Sequence, residues 1–231
     1  MENQLDPEFA SLFEPSERAP CQLYLVSPAS IGPDFADTLS AALDGGPVAA
    51  FQLRLKDVPD DDVLRAAERL MPVCAAHQTA FILNDRMDLA KACGADGVHL
   101  GQSDGDPREA RRLLGPSGQI GVTCHDSRHL AMDAGEAGAD YVAFGAFYPT
   151  KTHATPYRPD PSILGWWSRV FEIPCVAIGG INPDSGRALV EAGADFLAIC
   201  SWIWEHGDGP GAAVKAFEET LARPDVRKSG Q

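Results

Sequence analysis

The run Cys93-Gly94-Ala95-Asp96-Gly97-Val98-His99-Leu100 decides the fold. A glycine closing a helical segment is the usual left-handed stop. The short apolar stretch after it reads as a strand. The same punctuation returns at Ala137-Gly138-Ala139-Asp140, ahead of Tyr141-Val142-Ala143-Phe144-Gly145, and at Ala192-Gly193-Ala194-Asp195, ahead of Phe196-Leu197-Ala198-Ile199. Three helix-to-strand junctions of one kind set a βα rhythm.

Outward from these junctions the rhythm continues. Cys21–Ser27, the run from Val48 to the basic stretch, Ala80–Leu83, Gln119–Thr123 and Pro174–Ile178 read as further short strands. Helical segments fall between them. The one opened by Asp60-Asp61-Asp62, acids that suit a positive helix N-terminus, carries Leu64, Ala67, Leu70, Met71 and Cys74 at helical spacing. The strands are almost wholly apolar, as in a parallel sheet covered on both faces. Eight such βα units predict an α/β chain closed into a (β/α)8 TIM barrel. A doubly wound open sheet is the alternative, but no Gly-x-Gly-x-x-Gly follows the first strand. The expected layout is an N-terminal extension over 1–20, one barrel domain over 21–223 and a tail over 224–231.

Composition narrows the function. The chain has 231 residues, and 33 acids against 19 bases give a net charge of -14. That disfavours nucleic acid or an anionic membrane as partner. The six cysteines are scattered without a Cys-x-x-Cys pair. They predict free thiols in a reducing, cytoplasmic compartment and no zinc site. The start lacks a basic and an apolar region, which predicts no signal peptide. No apolar run is long enough to span a membrane.

In such a barrel the chemistry belongs at strand C-termini. Gln52-Leu53-Arg54-Leu55-Lys56 ends the second strand, and its alternation sends Gln52, Arg54 and Lys56 to one side. Two cations and an amide there suit a phosphate or diphosphate; the bland reading is a solvated strand end. Asp85 and Asp104 come after the next two strands and suit a hard cation such as Mg2+, which takes one or two carboxylates plus substrate phosphates. Alone, Asp85 also fits a helix N-cap and Asp104 a turn residue. Gly179-Gly180 and Ser201 come after the last two strands, where barrels often bind phosphate on backbone N–H groups. His125, His77, His129 and His206 read as surface or packing histidines.

These residues resemble the thiamine phosphate synthase family from about Leu23 to Ala222. The resemblance rests on Gln52-Leu53-Arg54-Leu55-Lys56, Asn84-Asp85-Arg86, Gly97-Val98-His99-Leu100-Gly101-Gln102-Ser103-Asp104, Pro149-Thr150-Lys151-Thr152 and Ala177-Ile178-Gly179-Gly180-Ile181. It implies an enzyme that joins hydroxymethylpyrimidine diphosphate to a thiazole phosphate (carboxylate) and releases diphosphate by a dissociative, Mg2+-assisted route. It also implies roles. Gln52, Arg54, Lys56 and Asn84 would bind the pyrimidine diphosphate, and Asp85 and Asp104 the Mg2+. Thr123, where the family usually has Ser, would face the pyrimidine. Thr150, Thr152, Gly180, Cys200 and Ser201 would contact the thiazole phosphate. Arg54, Lys56, Thr123 and His153 would be the catalytic group.

One departure stands out. His153 occupies the place of a lysine that usually comes directly after Thr-x-Thr and contacts the diphosphate. Lys151 is two residues earlier. Two other readings stay open on the sequence: a thiazole tautomerase-like paralogue with His125 as acid/base, and a non-catalytic phosphate-ligand-binding or regulatory barrel. The partners expected are small molecules; the sequence leaves a homo-oligomer open.

Overall fold

A computed structural model describes residues 18–150 and 155–221. The elements in chain order are β1 (Gln22–Val26), α1 (Phe35–Leu43), β2 (Ala50–Leu53), α2 (Asp60–Ala76), β3 (Ala80–Asn84), α3 (Met87–Cys93), β4 (Gly97–Leu100), α4 (Pro107–Leu114), β5 (Gln119–His125), α5 (Arg128–Glu136), β6 (Tyr141–Gly145), α6 (Ser162–Val170), β7 (Cys175–Ile178), α7 (Pro183–Ala192), β8 (Phe196–Ile199), α8 (Ser201–Trp204) and α9 (Pro210–Leu221). The strands are parallel and form a closed barrel in sequence order. Closure comes from β1 on β8, with Tyr24 opposite Ala198.

Alternation along each strand divides the core in two. Leu23 and Leu25 point outward and pack with Phe51, Phe81 and the helices. Tyr24 and Val26 point inward and meet Ile82, Tyr141, Ala143, Val176 and Ala198. Phe51 is fully buried and packs near Phe35, Phe81 and Trp204. Full burial of such a side chain contributes about 1.5–3 kcal/mol relative to exposure.

The repeated glycine-alanine-aspartate junctions form one device at the N-terminal ends of the strands. Gly94, Gly138 and Gly193 have φ of 75, 94 and 114°, the left-handed region that glycine enters without a Cβ clash. Each aspartate then binds back to an earlier strand. Asp96 Oδ2 accepts from Phe81 N at 2.7 Å, Asp140 Oδ2 from Ile120 N at 2.7 Å, and Asp195 Oδ2 from Cys175 N at 2.9 Å. The aspartates' own N–H groups donate to the carbonyls of the same three residues. Arg111 and Arg18 each reach one of these carboxylates, Asp140 and Asp195, at 2.5 Å. Arg18 also donates to Ser168 O and Phe171 O, so the chain is tied to the barrel from Arg18 onward.

Three local features differ from the sequence expectation. β2 stops at Leu53, so Arg54 and Lys56 lie beyond the sheet. β5 runs on to His125 through a register shift after Thr123. A short helix, α8, comes directly after β8. All six cysteines are free thiols. Among the described residues no helix is long and apolar enough to cross a membrane.

Candidate active site

The C-terminal ends of the strands open on a cavity of about 1100 Å³. Gln52, Arg54, Lys56, Asn84, Asp85, Asp104, Thr123, Thr150, Gly180, Cys200 and Ser201 all line it. Of the residues singled out in the sequence, Thr152 and His153, with Lys151, lie outside the described residues.

The anion-binding side comes from β2 and the turn at its C-terminal end. Gln52 is buried, while Arg54 is partly exposed and Lys56 exposed. Alternation persists past the sheet: Leu55 turns outward and packs against the core. Ser27 Oγ, itself buried, accepts from the Arg54 N–H at 2.8 Å and fixes the backbone there. Among the described residues the Arg54 guanidinium has no ion-pair partner. Lys56 Nζ pairs with Asp85 Oδ2. Arg86 turns away from the cavity. It takes Asp60 at 2.7 and 2.9 Å and also binds Asp88.

Asp85 does not cap a helix. Arg86 holds the N-cap position of α3, without a side-chain cap bond. Asp85 instead has φ 64°, and its N–H donates to His99 O at 2.8 Å. A non-glycine residue held in the left-handed region costs on the order of 1–3 kcal/mol and is concentrated at functional sites. Asp104 is a turn residue in part: its Oδ2 accepts from Gly101 N at 3.0 Å. A Cβ on Gly101 would sit 2.4 Å from that oxygen, so a larger residue there would displace the Asp104 carboxylate. Burial pushes the Asp104 carboxyl above its ordinary value, and the neighbouring Asp85 carboxylate pushes it further; the Gly101 N–H and Lys56 oppose this. Two neighbouring carboxylates of this kind are relieved by a cation between them. No group of three or more His, Cys, Asp or Glu among the described residues could hold a metal ion. A pair of carboxylates fits a hard cation that shares its oxygens with a phosphorylated ligand.

The opposite wall is built around Gly179 and Gly180, with φ of 106 and 65°. A Cβ on Gly180 would lie 2.3 Å from Pro149 O. That close approach lets Tyr148 N donate to Gly179 O at 3.0 Å. The segment carrying Thr150 is thereby laid across the end of β7. Cys200 and Ser201 complete this wall at the start of α8.

Comparison with known proteins supplies the remaining observation. Residues 23–203 match the profile of thiamine monophosphate synthase. This chain belongs to the thiamine monophosphate synthase family. It is similar to the thiamine-phosphate synthase of Rhodospirillum centenum, 58% identical over 202 residues, covering 87% of this chain and 98% of that one. The thiamine-phosphate synthase of Erythrobacter litoralis is 56% identical over 207 residues, covering 88% and 96%. Among solved structures, the thiamine phosphate pyrophosphorylase of Pyrococcus furiosus superposes with a TM-score of 0.77 at 29% identity, covering 87% of this chain and 95% of that one. The family match takes in all eight strands, but for Gln22 at the start of β1, and the cavity lining up to Trp202.

The cavity of this family member also contains residues whose place the sequence did not reveal. His125 and His206, which read as surface or packing histidines, both line it. The β5 irregularity carries His125 there, with φ 55°, and its ring stacks on Tyr157 at 4.2 Å. Gln102 Nε2 donates to Thr123 O at 2.6 Å, tying the Asp104 loop to β5. Inside the barrel runs a chain of polar side chains. Gln52 Nε2 donates to Tyr24 Oη at 3.0 Å, and Tyr24 Oη meets Tyr141 Oη at 2.8 Å. Tyr141 Oη meets His99 Nδ1 at 3.1 Å, and His99 Nε2 meets Thr123 Oγ1 at 2.8 Å. Burial holds the His99 imidazole down, at about 4, so it is neutral at pH 7. Burial raises both tyrosine hydroxyls. The signal for this chain in the sequence is one polar side chain at an inward position of an otherwise apolar strand.

Proposed function

We propose that this chain forms thiamine phosphate from hydroxymethylpyrimidine diphosphate and a thiazole phosphate, losing diphosphate, and CO2 when the thiazole is carboxylated. The observation that carries this reading is the meeting of two ligand sets at one rim. Arg54 and Lys56 stand beside Asp85 and Asp104, linked by the Lys56–Asp85 ion pair. Diphosphate is a good leaving group, and the pyrimidine methylene can carry positive charge as it departs. No nucleophilic side chain is then needed.

Asp85 and Asp104 would hold Mg2+, which when bound neutralises charge on the diphosphate. Arg54 and Lys56 stabilise the charge that grows on the leaving group. Gln52, Asn84 and Thr123 orient the pyrimidine. Thr150, Gly180, Cys200 and Ser201, with Thr152 by sequence, hold the thiazole phosphate on the far wall. Its ring nitrogen is thereby aimed at the methylene carbon. His153 is assigned the diphosphate contact by its place in the sequence; the bound anion would raise its pKa, and the imidazolium, its proton taken from solvent, would be the missing cation. The six free cysteines support a reducing, cytoplasmic setting. The acidic net charge supports small phosphorylated molecules as the partners, not nucleic acid or membrane.

The test is turnover with both substrates and Mg2+. Formation of thiamine phosphate supports the reading; no product from fresh substrates contradicts it and returns the chain to the tautomerase-like or non-catalytic readings.

A further inference from the structure

The polar chain across the barrel interior joins Gln52 on β2 to Thr123 on β5, and both line the cavity. Its members are buried except Thr123: Tyr24 is 4% exposed, Gln52 5%, Tyr141 8% and His99 8%. The sequence makes room for it. A Cβ on Gly121 would fall 2.0 Å from the Tyr141 ring, so only glycine fits opposite that side chain.

The Gln52 amide, donating through Nε2 to Tyr24, gives the chain a direction. Tyr24 Oη accepts from Gln52 Nε2, so its own hydrogen goes to Tyr141 Oη. The Tyr141 hydrogen then goes to His99 Nδ1. A neutral imidazole that accepts at Nδ1 carries its proton on Nε2, and that N–H donates to Thr123 Oγ1. The Thr123 hydroxyl hydrogen is left for the cavity. In this direction Gln52 presents its amide oxygen and its second N–H to the cavity. The opposite direction is also fully bonded, but only if the Gln52 amide turns over. Gln52 would then present its NH2 alone, and Thr123 only an acceptor. The two ends are coupled through three buried side chains.

Resting on the synthase reading, we propose that Tyr24, Tyr141 and His99 are positioning residues that lock Gln52 and Thr123 into one donor–acceptor pattern and so select an aminopyrimidine. The amino group of that ring donates to Gln52 Oε1, and a ring nitrogen accepts from Gln52 Nε2 or Thr123 Oγ1. A 4-oxo pyrimidine offers the reverse pattern, an acceptor oxygen beside a ring N–H. In the same pose it matches only the turned-over amide, which requires both tyrosine hydroxyls and the His99 tautomer to reverse together.

The experiment compares the amino- and oxo-pyrimidine diphosphates as substrates in wild type, Tyr24→Phe, Tyr141→Phe and the double variant. We expect the kcat/KM preference for the amino compound to narrow by about tenfold in Tyr24→Phe, because Gln52 becomes free to turn. KM for the thiazole phosphate should stay within about twofold, since that wall is remote. The double variant should narrow the preference no further than the single ones. An unchanged preference in Tyr24→Phe overturns the proposal while leaving the synthase reading intact. Nitrogen-15 NMR of His99 in the wild type provides a separate readout. The Nε2–H tautomer supports the stated direction, and the Nδ1–H tautomer overturns it. This readout holds even if the wild type makes no product, an outcome that removes the synthase reading.

Discussion

Lys56 and Asp85 form an ion pair across the ends of β2 and β3. A cation suited to an anionic ligand and a carboxylate suited to a metal thus hold each other in place. The pair is partly open to solvent, with Lys56 43% exposed at its side chain, so it contributes little to stability. Its consequence lies in binding. Under the proposed function Asp85 would hold Mg2+, and Lys56 would then be left to pair with the diphosphate.

Replacing Lys56 by Met should therefore raise KM for the pyrimidine diphosphate by roughly 10- to 100-fold, the worth of one charge-assisted hydrogen bond. KM for the thiazole phosphate should barely move, and the urea midpoint should stay close to wild type. Steady-state kinetics with each substrate varied in turn checks this. A change confined to the thiazole phosphate would place Lys56 on the wrong substrate.

His99 gives the protein a pH-dependent stability. Its folded pKa is about 4 against an ordinary 6.5, because burial disfavours the cation. The unfolded chain therefore binds more protons than the folded one between these values. Stability falls as pH drops from about 6.5 toward 4, by on the order of 3 kcal/mol from this group alone. Urea denaturation across that range should show a shallower slope for His99→Gln than for wild type. Identical slopes would mean that His99 is protonated in the folded state.

The strand-end aspartates are stability residues far from the chemistry. Asp195→Ala removes the acceptor of the Cys175 N–H and the carboxylate facing Arg18. The expected loss is about 3–5 kcal/mol, as for a buried ion pair broken on one side. KM for both substrates should be unaffected at temperatures where the variant is folded. Denaturant melts alongside kinetics separate the two effects.

The barrel was legible because its punctuation is local. Glycine at the helix stop and aspartate before the strand are visible as letters, and the structure shows why both are there. The lining of the candidate site was legible for a related reason. Strand C-termini are where polar letters interrupt apolar runs, so Gln52, Asp85, Asp104 and Thr123 stood out. The interior chain did not. Tyr24 and Tyr141 lie in nearly continuous apolar strands, which carry no alternation to separate inward from outward positions. The β5 irregularity that brings His125 to the cavity also left no local mark. Arg86 illustrates the reverse: it sits beside Asp85 in sequence but turns to Asp60, because the α2 acids offer it a bidentate partner.

Central to the proposed activity is that Asp85 and Asp104 bind a metal together with the diphosphate gripped by Arg54 and Lys56. Calorimetric titration of pyrimidine diphosphate into the wild type and Asp104→Ala, with and without Mg2+, tests it most directly. We predict that Mg2+ tightens wild-type binding by at least tenfold, as roughly 1.4 kcal/mol of coupling requires, and that Asp104→Ala abolishes this gain along with turnover. Equal affinity with and without Mg2+ in the wild type, or an undiminished gain in Asp104→Ala, would contradict the claim.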